Sequence, residues 1–299
     1  MRKPPLVPPI KCQGIKTKLV ERIKSFAPTD IKGRYIEPFL GSGVISLNLL
    51  PQRALLNDTN IHIIGFYKAL QKGEVTPSSV KAHLQQEGTI LSQGGQEHYN
   101  FVRSRFNEQG DPHDFLFLNR ACFNGVMRFN RKGGFNVPFC HKPDRFAQSY
   151  VTKIFNQVQA LQDVMQSRDW EFTTHDFREV LAEAEEDDFI YLDPPYAGRH
   201  VDYFNSWSAT DEEDLTQFLR DSPARWMLSS WQENEFRRNS ATDIWASEGW
   251  HIETTEHFYH VGAQETLRHP MIEALVFNFS PNRENKEVHD APDLQLSLL

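Results

Sequence analysis

Phe189-Ile190-Tyr191-Leu192-Asp193-Pro194-Pro195-Tyr196 is the stretch from which the rest of the chain is read. Its four leading residues are apolar without alternation, the pattern of a short strand buried on both faces in a parallel sheet. Two consecutive prolines cannot extend a central strand, so the backbone leaves the sheet just after Asp193. Ligands of open α/β sheets bind at the carboxyl ends of strands, which is where this turn falls. It offers one carboxylate (Asp193), the carbonyl of Pro194 and the aromatic face of Tyr196. A planar exocyclic amine suits that set: one hydrogen to Asp193, the other to the Pro194 carbonyl, the ring stacked on Tyr196. A plain strand-ending turn explains the same four residues, and the tetrapeptide alone leaves both readings open.

A second stretch lies far upstream, Tyr35-Ile36-Glu37-Pro38-Phe39-Leu40-Gly41-Ser42-Gly43. It reads as a strand, a glycine turn and then a helix over 44–50, the arrangement that lets a backbone approach a nucleotide-type cofactor. Only G-x-G is present, so the dinucleotide fingerprint of a nicotinamide enzyme is missing. The next apolar run, 54–56, ends in Asn57-Asp58. Asp58 stands where such units hold ribose hydroxyls, though a turn residue reads equally well there. Before both lies Lys11-Cys12-Gln13-Gly14-Ile15-Lys16, leading into an amphipathic helix over 17–26 that Thr17 is placed to cap.

Roughly 150 positions separate Gly43 from Asp193, far more than a βα connection needs, which implies an inserted domain. Helical spacing appears over 61–72, 76–87, 98–106 and 115–123, with a polar glycine-containing link at 88–96. Asn124-Gly125 and Gly133-Gly134 bracket a hairpin or turn-rich loop. A helix over 148–167 returns the chain to strands at 170–172, 189–192, 226–230, 251–260 and 271–279. Helices are expected over 178–186, 211–220 and from Glu233 onward. The domains follow as 1–60 with 165–280, an insertion at 61–164, and a polar tail at 281–299 that composition reads as disordered.

The chain has 299 residues, 39% hydrophobic and 24% charged, ordinary values for a globular protein with a sizeable core. Net charge is −8, but the average hides an asymmetry. Residues 103–153 are rich in Arg and Lys, whereas 176–193 are acidic. A local basic segment suits phosphates whatever the total charge, and a solvated mixed-charge face is the alternative. No stretch is apolar enough for a membrane span, and the proline-rich start does not read as a secretion signal. Cys12, Cys122 and Cys140 lack both pairing arithmetic and metal spacing; they read as buried thiols of a reducing, cytoplasmic setting.

The ordered pair Glu37-to-Gly43 and Asp193-to-Tyr196 resembles the Dam-type DNA adenine-N6 methyltransferases. Residues 118–139, Leu118-Asn119-Arg120 through Val137-Pro138-Phe139, look like that family's DNA-recognition signature. Lys11 to Lys16 is similar too, with Cys12 where the family often has tryptophan. The resemblance covers roughly residues 8–280. It implies an α/β fold: a Rossmann-like S-adenosylmethionine (AdoMet)-dependent methyltransferase sheet with a late antiparallel strand and an inserted, mainly helical DNA-recognition domain. Lys16, Phe39, Gly41, Gly43, Asp58, Asp176 and Phe177 are then expected at the cofactor. Lys11, Phe123, Asn124, Val126, Arg128, Asn130, Arg131 and Lys132 are expected at the DNA, with Phe123 and Asn124 wedged into the duplex and Val126, Arg128 and Asn130 reading base edges. Arginine suits guanine and asparagine suits adenine in the major groove. Arg131, Lys132 and Arg145 suit phosphates.

The implied reaction is methyl transfer from AdoMet to N6 of an adenine flipped out of duplex DNA, within a GATC-like or longer GAT-containing site. Asp193, Pro194 and Tyr196 are the catalytic set, with no metal and no covalent intermediate. A monomer is expected, with no membrane partner; a separately acting restriction endonuclease is the partner the family leaves open. Two other readings stay open: an AdoMet enzyme acting on RNA or on a protein glutamine, and a DNA-binding relative without activity.

Overall fold

The computed structural model describes residues 4–130, 132–195, 207–234, 237–239, 241–258 and 270–281. Tyr196, Arg131, the loop around Gly262 and the tail from residue 282 lie outside them. The sheet is built from β1 (Tyr35–Glu37), β2 (Arg53–Asn57), β3 (Asp169–Thr173), β4 (Phe189–Leu192), β5 (Arg225–Asn234), β7 (His251–Phe258) and β8 (Pro270–Phe277). Their order is β3-β2-β1-β4-β5-β8-β7, with a two-residue β6 (Arg237–Arg238) paired to β5. The first five strands run parallel, and β8 enters antiparallel between β5 and β7.

The two-residue period of β4 divides the core. Phe189 and Tyr191 join one buried cluster with Tyr35, Leu56, Met227 and Phe277. Ile190 and Leu192 join the other with Ile36, Leu55, Leu228 and Val276. All four β4 side chains are buried, as an unalternating run requires of a central strand. The first face is covered by α1 (Val20–Phe26), α2 (Val44–Leu49), α3 (Ile61–Gln71) and α6 (Gln148–Gln166). Its cluster continues without interruption into α4 (Pro77–Gln109) and α5 (Pro112–Ala121). The second face is covered by α7 (Phe177–Ala182), α8 (Ala209–Asp221) and α9 (Ala241–Ser247).

Local chemistry starts these helices where a capping side chain is available. Asp111 accepts from the backbone N–H groups of His113 and Asp114 at the start of α5, with Pro112 in its first turn. Thr76 and Ser79 form a reciprocal capping box on α4.

Three local expectations differ from the structure. The polar link at 88–96 is helical: α4 runs through it and departs from helical geometry only at Gly95 (φ 49°, ψ −125°). Gly88 is there for close approach, since a Cβ on it would stand 2.6 Å from Cβ of Phe146. No helix starts at Glu233. Instead β5 runs on to Asn234, because Glu233 and Asn234 find antiparallel partners in Ile272 and Met271 across a bulge. Thr17 caps nothing; it opens a 3₁₀ turn, Thr17–Leu19, that leads into α1.

Candidate active site

The strand order reverses between β1 and β4, and the site lies at their carboxyl ends. After β1 the chain turns through Gly41 (φ 51°) and Gly43 (φ 65°), left-handed values that a side chain would strain. A Cβ on Gly43 would also press on Leu40 at 3.3 Å. The turn is held by Gly43 N–H to the Leu40 carbonyl (2.8 Å), by Leu40 N–H to the Asn57 carbonyl (2.8 Å), and by Tyr67 Oη to the Ser42 carbonyl (2.6 Å). Asp58 closes it: one oxygen accepts from Gly41 N–H and the other from Asn60 N–H, each at 2.8 Å. Burial raises the Asp58 pKa and those two donors oppose the rise.

Asn57, which sequence reasoning passed over, ties three strand ends together. Its amide donates to the carbonyls of Pro38 (3.0 Å) and His175 (3.1 Å). Its oxygen accepts from His175 N–H and from Thr173 Oγ1, both at 2.8 Å. An amide directly after an apolar run was the available signal, and the structure buries it fully.

Asp193 leaves the end of β4 and meets Lys16 Nζ at 2.9 Å. Lys16 is buried, and 23% of the Asp193 side chain stays exposed, enough to accept from an incoming group. Burial raises the Asp193 pKa and the Lys16 ammonium pulls it back, with buried Glu273 of β8 pushing upward. At the end of β1 stands a second buried carboxyl, Glu37, which accepts from Tyr35 Oη at 2.9 Å. Burial pushes its pKa to about 8. Pro194 is buried behind Asp193.

Phe39 and Phe177 come together with Trp207, another residue missed in the sequence. Their ring centroids are 5.3–5.6 Å apart. The indole N–H donates to Glu212 at 2.7 Å. Asp176 caps α7 by accepting from Arg178 N–H (2.9 Å) and pairs with the Arg178 guanidinium (3.2 Å).

The segment read as DNA-contacting forms a loop from Cys122 to Cys140, pinned by bridges Cys122–Phe139 and Phe129–Phe135. Phe123 is 53% exposed at the start of this loop, followed by Asn124 in the left-handed region (φ 53°). Arg128 Nε donates to Asn136 Oδ1 (2.9 Å). Asn130 Oδ1 accepts from Lys132 N–H (2.9 Å) and Gly134 N–H (3.0 Å), so its oxygen closes the turn. Val126 is half-buried and Lys132 exposed. Lys11, from the far end of the chain, lies against this loop at Gly125, and burial lowers its pKa.

Together these features define the class: an α/β protein with a mostly parallel sheet, a glycine turn and an ion-paired carboxylate at one switch point. The family model described as D12 class N6 adenine-specific DNA methyltransferase matches residues 13–264, and the chain belongs to that family. It is 35% identical to the DNA N-6-adenine-methyltransferase of Escherichia phage P1 over 227 residues, 72% of this chain and 28% of that protein. It is 33% identical to the DNA adenine methylase of Vibrio cholerae over 193 residues, 63% of this chain and 64% of that one. The modification methylase StsI of Streptococcus sanguinis is 27% identical over 93% of this chain and 43% of its own length. The chain thus spans less than two thirds of these relatives. A methyltransferase family of this fold uses AdoMet in general. The residues present suit it: a carboxylate at Asp58 that would take its ribose hydroxyls, open backbone at Gly41 and Gly43 for its methionine end, and an aromatic face at Phe177 for its purine.

Proposed function

We propose that this chain transfers a methyl group from AdoMet to N6 of an adenine flipped out of duplex DNA, in a GATC-like or longer GAT-containing site. The observation that carries the reading is the Asp193–Lys16 ion pair beside the Gly41–Gly43 turn. AdoMet supplies an electrophilic methyl on a sulfonium. The adenine amine is a poor nucleophile because its lone pair is delocalised into the ring. Asp193 accepts one amine hydrogen and the Pro194 carbonyl accepts the other, which draws the nitrogen toward a tetrahedral shape with its lone pair free. Positioning and fixed charge do this work, so no covalent enzyme intermediate is required. Tyr196 stacks on the flipped base. Lys16 favours the ionised form of Asp193 against the effect of burial. On the cofactor side, Asp58 takes the ribose hydroxyls, Gly41 and Gly43 admit the methionine end, and Asp176 with Phe177 borders the purine.

Residues 61–164 form the recognition domain in this reading. Phe123 and Asn124 enter the duplex where the adenine has left. Val126, Arg128 and Asn130 read base edges, Arg128 and Asn130 after exchanging the loop bonds they now make. Lys11 joins them, and Arg131 and Lys132 meet phosphates. The protein acts as a monomer on DNA inside the cell, since one active site suffices for one strand.

The test is transfer of labelled methyl from AdoMet to unmethylated plasmid, with modified positions mapped by sequencing. N6-methyladenine confined to one short motif is the expected result. Tight AdoMet binding without incorporation into DNA sinks the reading.

A further inference from the structure

Within six positions, residues 11–16 touch three separate parts of the molecule. Lys11 is clasped by Asn119 of α5. The Lys11 N–H donates to Asn119 Oδ1 at 2.8 Å, and Asn119 Nδ2 donates to the Lys11 carbonyl at 2.9 Å. Asn119 is fully buried, and both halves of its amide are used on one residue's backbone, as a neighbouring strand would use them. The Lys11 stem lies on Gly125, where a Cβ would stand 2.7 Å from Cδ and 3.1 Å from Cβ of Lys11. The next residue, Cys12, reaches the cofactor turn: its Sγ is 3.9 Å from the place of a Cβ on Gly41. The segment then turns at Gly14 (φ 74°) and ends at Lys16, paired with Asp193.

We propose that Asn119 is a positioning residue that couples the recognition loop to the Lys16–Asp193 ion pair through residues 11–16. The coupling rests on the reading above, in which Lys11 meets DNA and Asp193 holds the target amine. Asn119 sits one helical turn before the loop. Its carbonyl accepts from Cys122 Sγ at 3.4 Å, and Phe123 to Gly125 follow directly. A displacement of that loop by DNA therefore moves Asn119 and Lys11 as a unit. Five residues of chain span at most about 18 Å when extended, and the turn at Gly14 leaves little slack before Lys16. Anchors at both ends make this a short link whose register the asparagine sets.

The experiment compares wild type with Asn119→Ala in three measurements: AdoMet affinity, the single-turnover rate of methyl transfer to plasmid DNA, and the pH profile of that rate. Asp193 is faced by Lys16, by Glu37 of β1, by Tyr191 of β4 and by Glu273 of β8. Lys16 is the cation among these, so displacing it leaves Asp193 to take up a proton at higher pH. The expected result is AdoMet affinity within about threefold of wild type, a rate at neutral pH at least about tenfold lower, and an acidic limb moved up by about half a pH unit or more. A loss confined to KM for DNA, or an unmoved acidic limb, overturns the coupling and leaves Asn119 purely structural. If Asn119→Ala does not fold, Gly125→Ala carries the same readouts, because its Cβ pushes the Lys11 stem from outside the helix. Absence of DNA methylation by the wild type fails the functional reading itself and takes the coupling with it. Normal wild-type activity with an unmoved variant profile fails the coupling alone.

Discussion

Glu37 and Asp193 end adjacent parallel strands, and burial raises the pKa of both, but Asp193 has a cation, Lys16, that opposes the rise. Asp193 has a cation at 2.9 Å. Glu37 has the neutral phenol of Tyr35 and the repulsion of Asp193, and burial holds its pKa near 8. The Lys16 ammonium therefore favours the ionised form of Asp193, whereas Glu37 keeps its proton at neutral pH. Asp193→Ala should lower the transfer rate at least about a thousandfold while AdoMet affinity changes less than about fivefold; calorimetric titration beside single-turnover rates checks this, and equal loss of both would make Asp193 structural. Glu37 gives a stability prediction. Its folded pKa lies above the ordinary value, so the folded state binds the proton more tightly than the unfolded state. Stability is then lost as pH rises from about 4.5 to about 8. Relative to wild type, Glu37→Gln should remove a decline approaching ~1.4 kcal/mol per pH unit in that window, read from urea melts at several pH values.

At the scale of elements, α4 shows packing overruling propensity. A glycine-containing polar link reads as a break, yet the chain stays helical because Leu84 and Leu91 are buried on the face that carries Gly88. Gly88→Ala should destabilise by about 1–3 kcal/mol, although alanine is the better helix former by about 1 kcal/mol, because its Cβ would collide with Phe146. Chemical denaturation decides; a stabilised variant would show that α4 and the Pro143–Phe146 turn separate at low cost. Asn57 does the corresponding work for the sheet. Asn57→Ala strands a buried hydroxyl and three backbone groups, at a cost of about 3 kcal/mol or more, and should weaken AdoMet binding by loosening the turn at Pro38.

Over the whole molecule, a net charge of −8 coexists with a basic segment at 103–153, and phosphates respond to the field beside them rather than to the total. In the proposed reading the loop's cations divide into two kinds. Arg128→Ala should relax sequence choice, with a loss of about 1–3 kcal/mol on the cognate site and little elsewhere. Lys132→Ala should weaken binding to every sequence and reduce the slope of log affinity against log salt by about one. Binding isotherms on cognate and scrambled duplexes at several salt concentrations separate the two; uniform weakening by both variants would remove Arg128 from base reading.

Much of this arrangement is legible in the sequence. The strand before Asp193 and the glycine turn after Ile36 follow from hydrophobic period, proline and glycine, all of which act over a few residues. The helical link at 88–96 and the extension of β5 to Asn234 were not legible, because each depends on a partner far along the chain: Phe146 for one, Met271 and Ile272 for the other. The same holds within the site. Sequence alone marked out Asp193, Lys16, Lys11 and the residues of the glycine turn as chemically eligible. Tertiary structure alone brought Lys16 to Asp193, placed Asn119 on the Lys11 backbone, gathered Trp207 to Phe39 and Phe177, and left Glu37 beside Asp193 with no cation of its own among its named partners. Residue types set which bonds and charges are available; burial and proximity, which only packing creates, set which bonds form and what each charge costs.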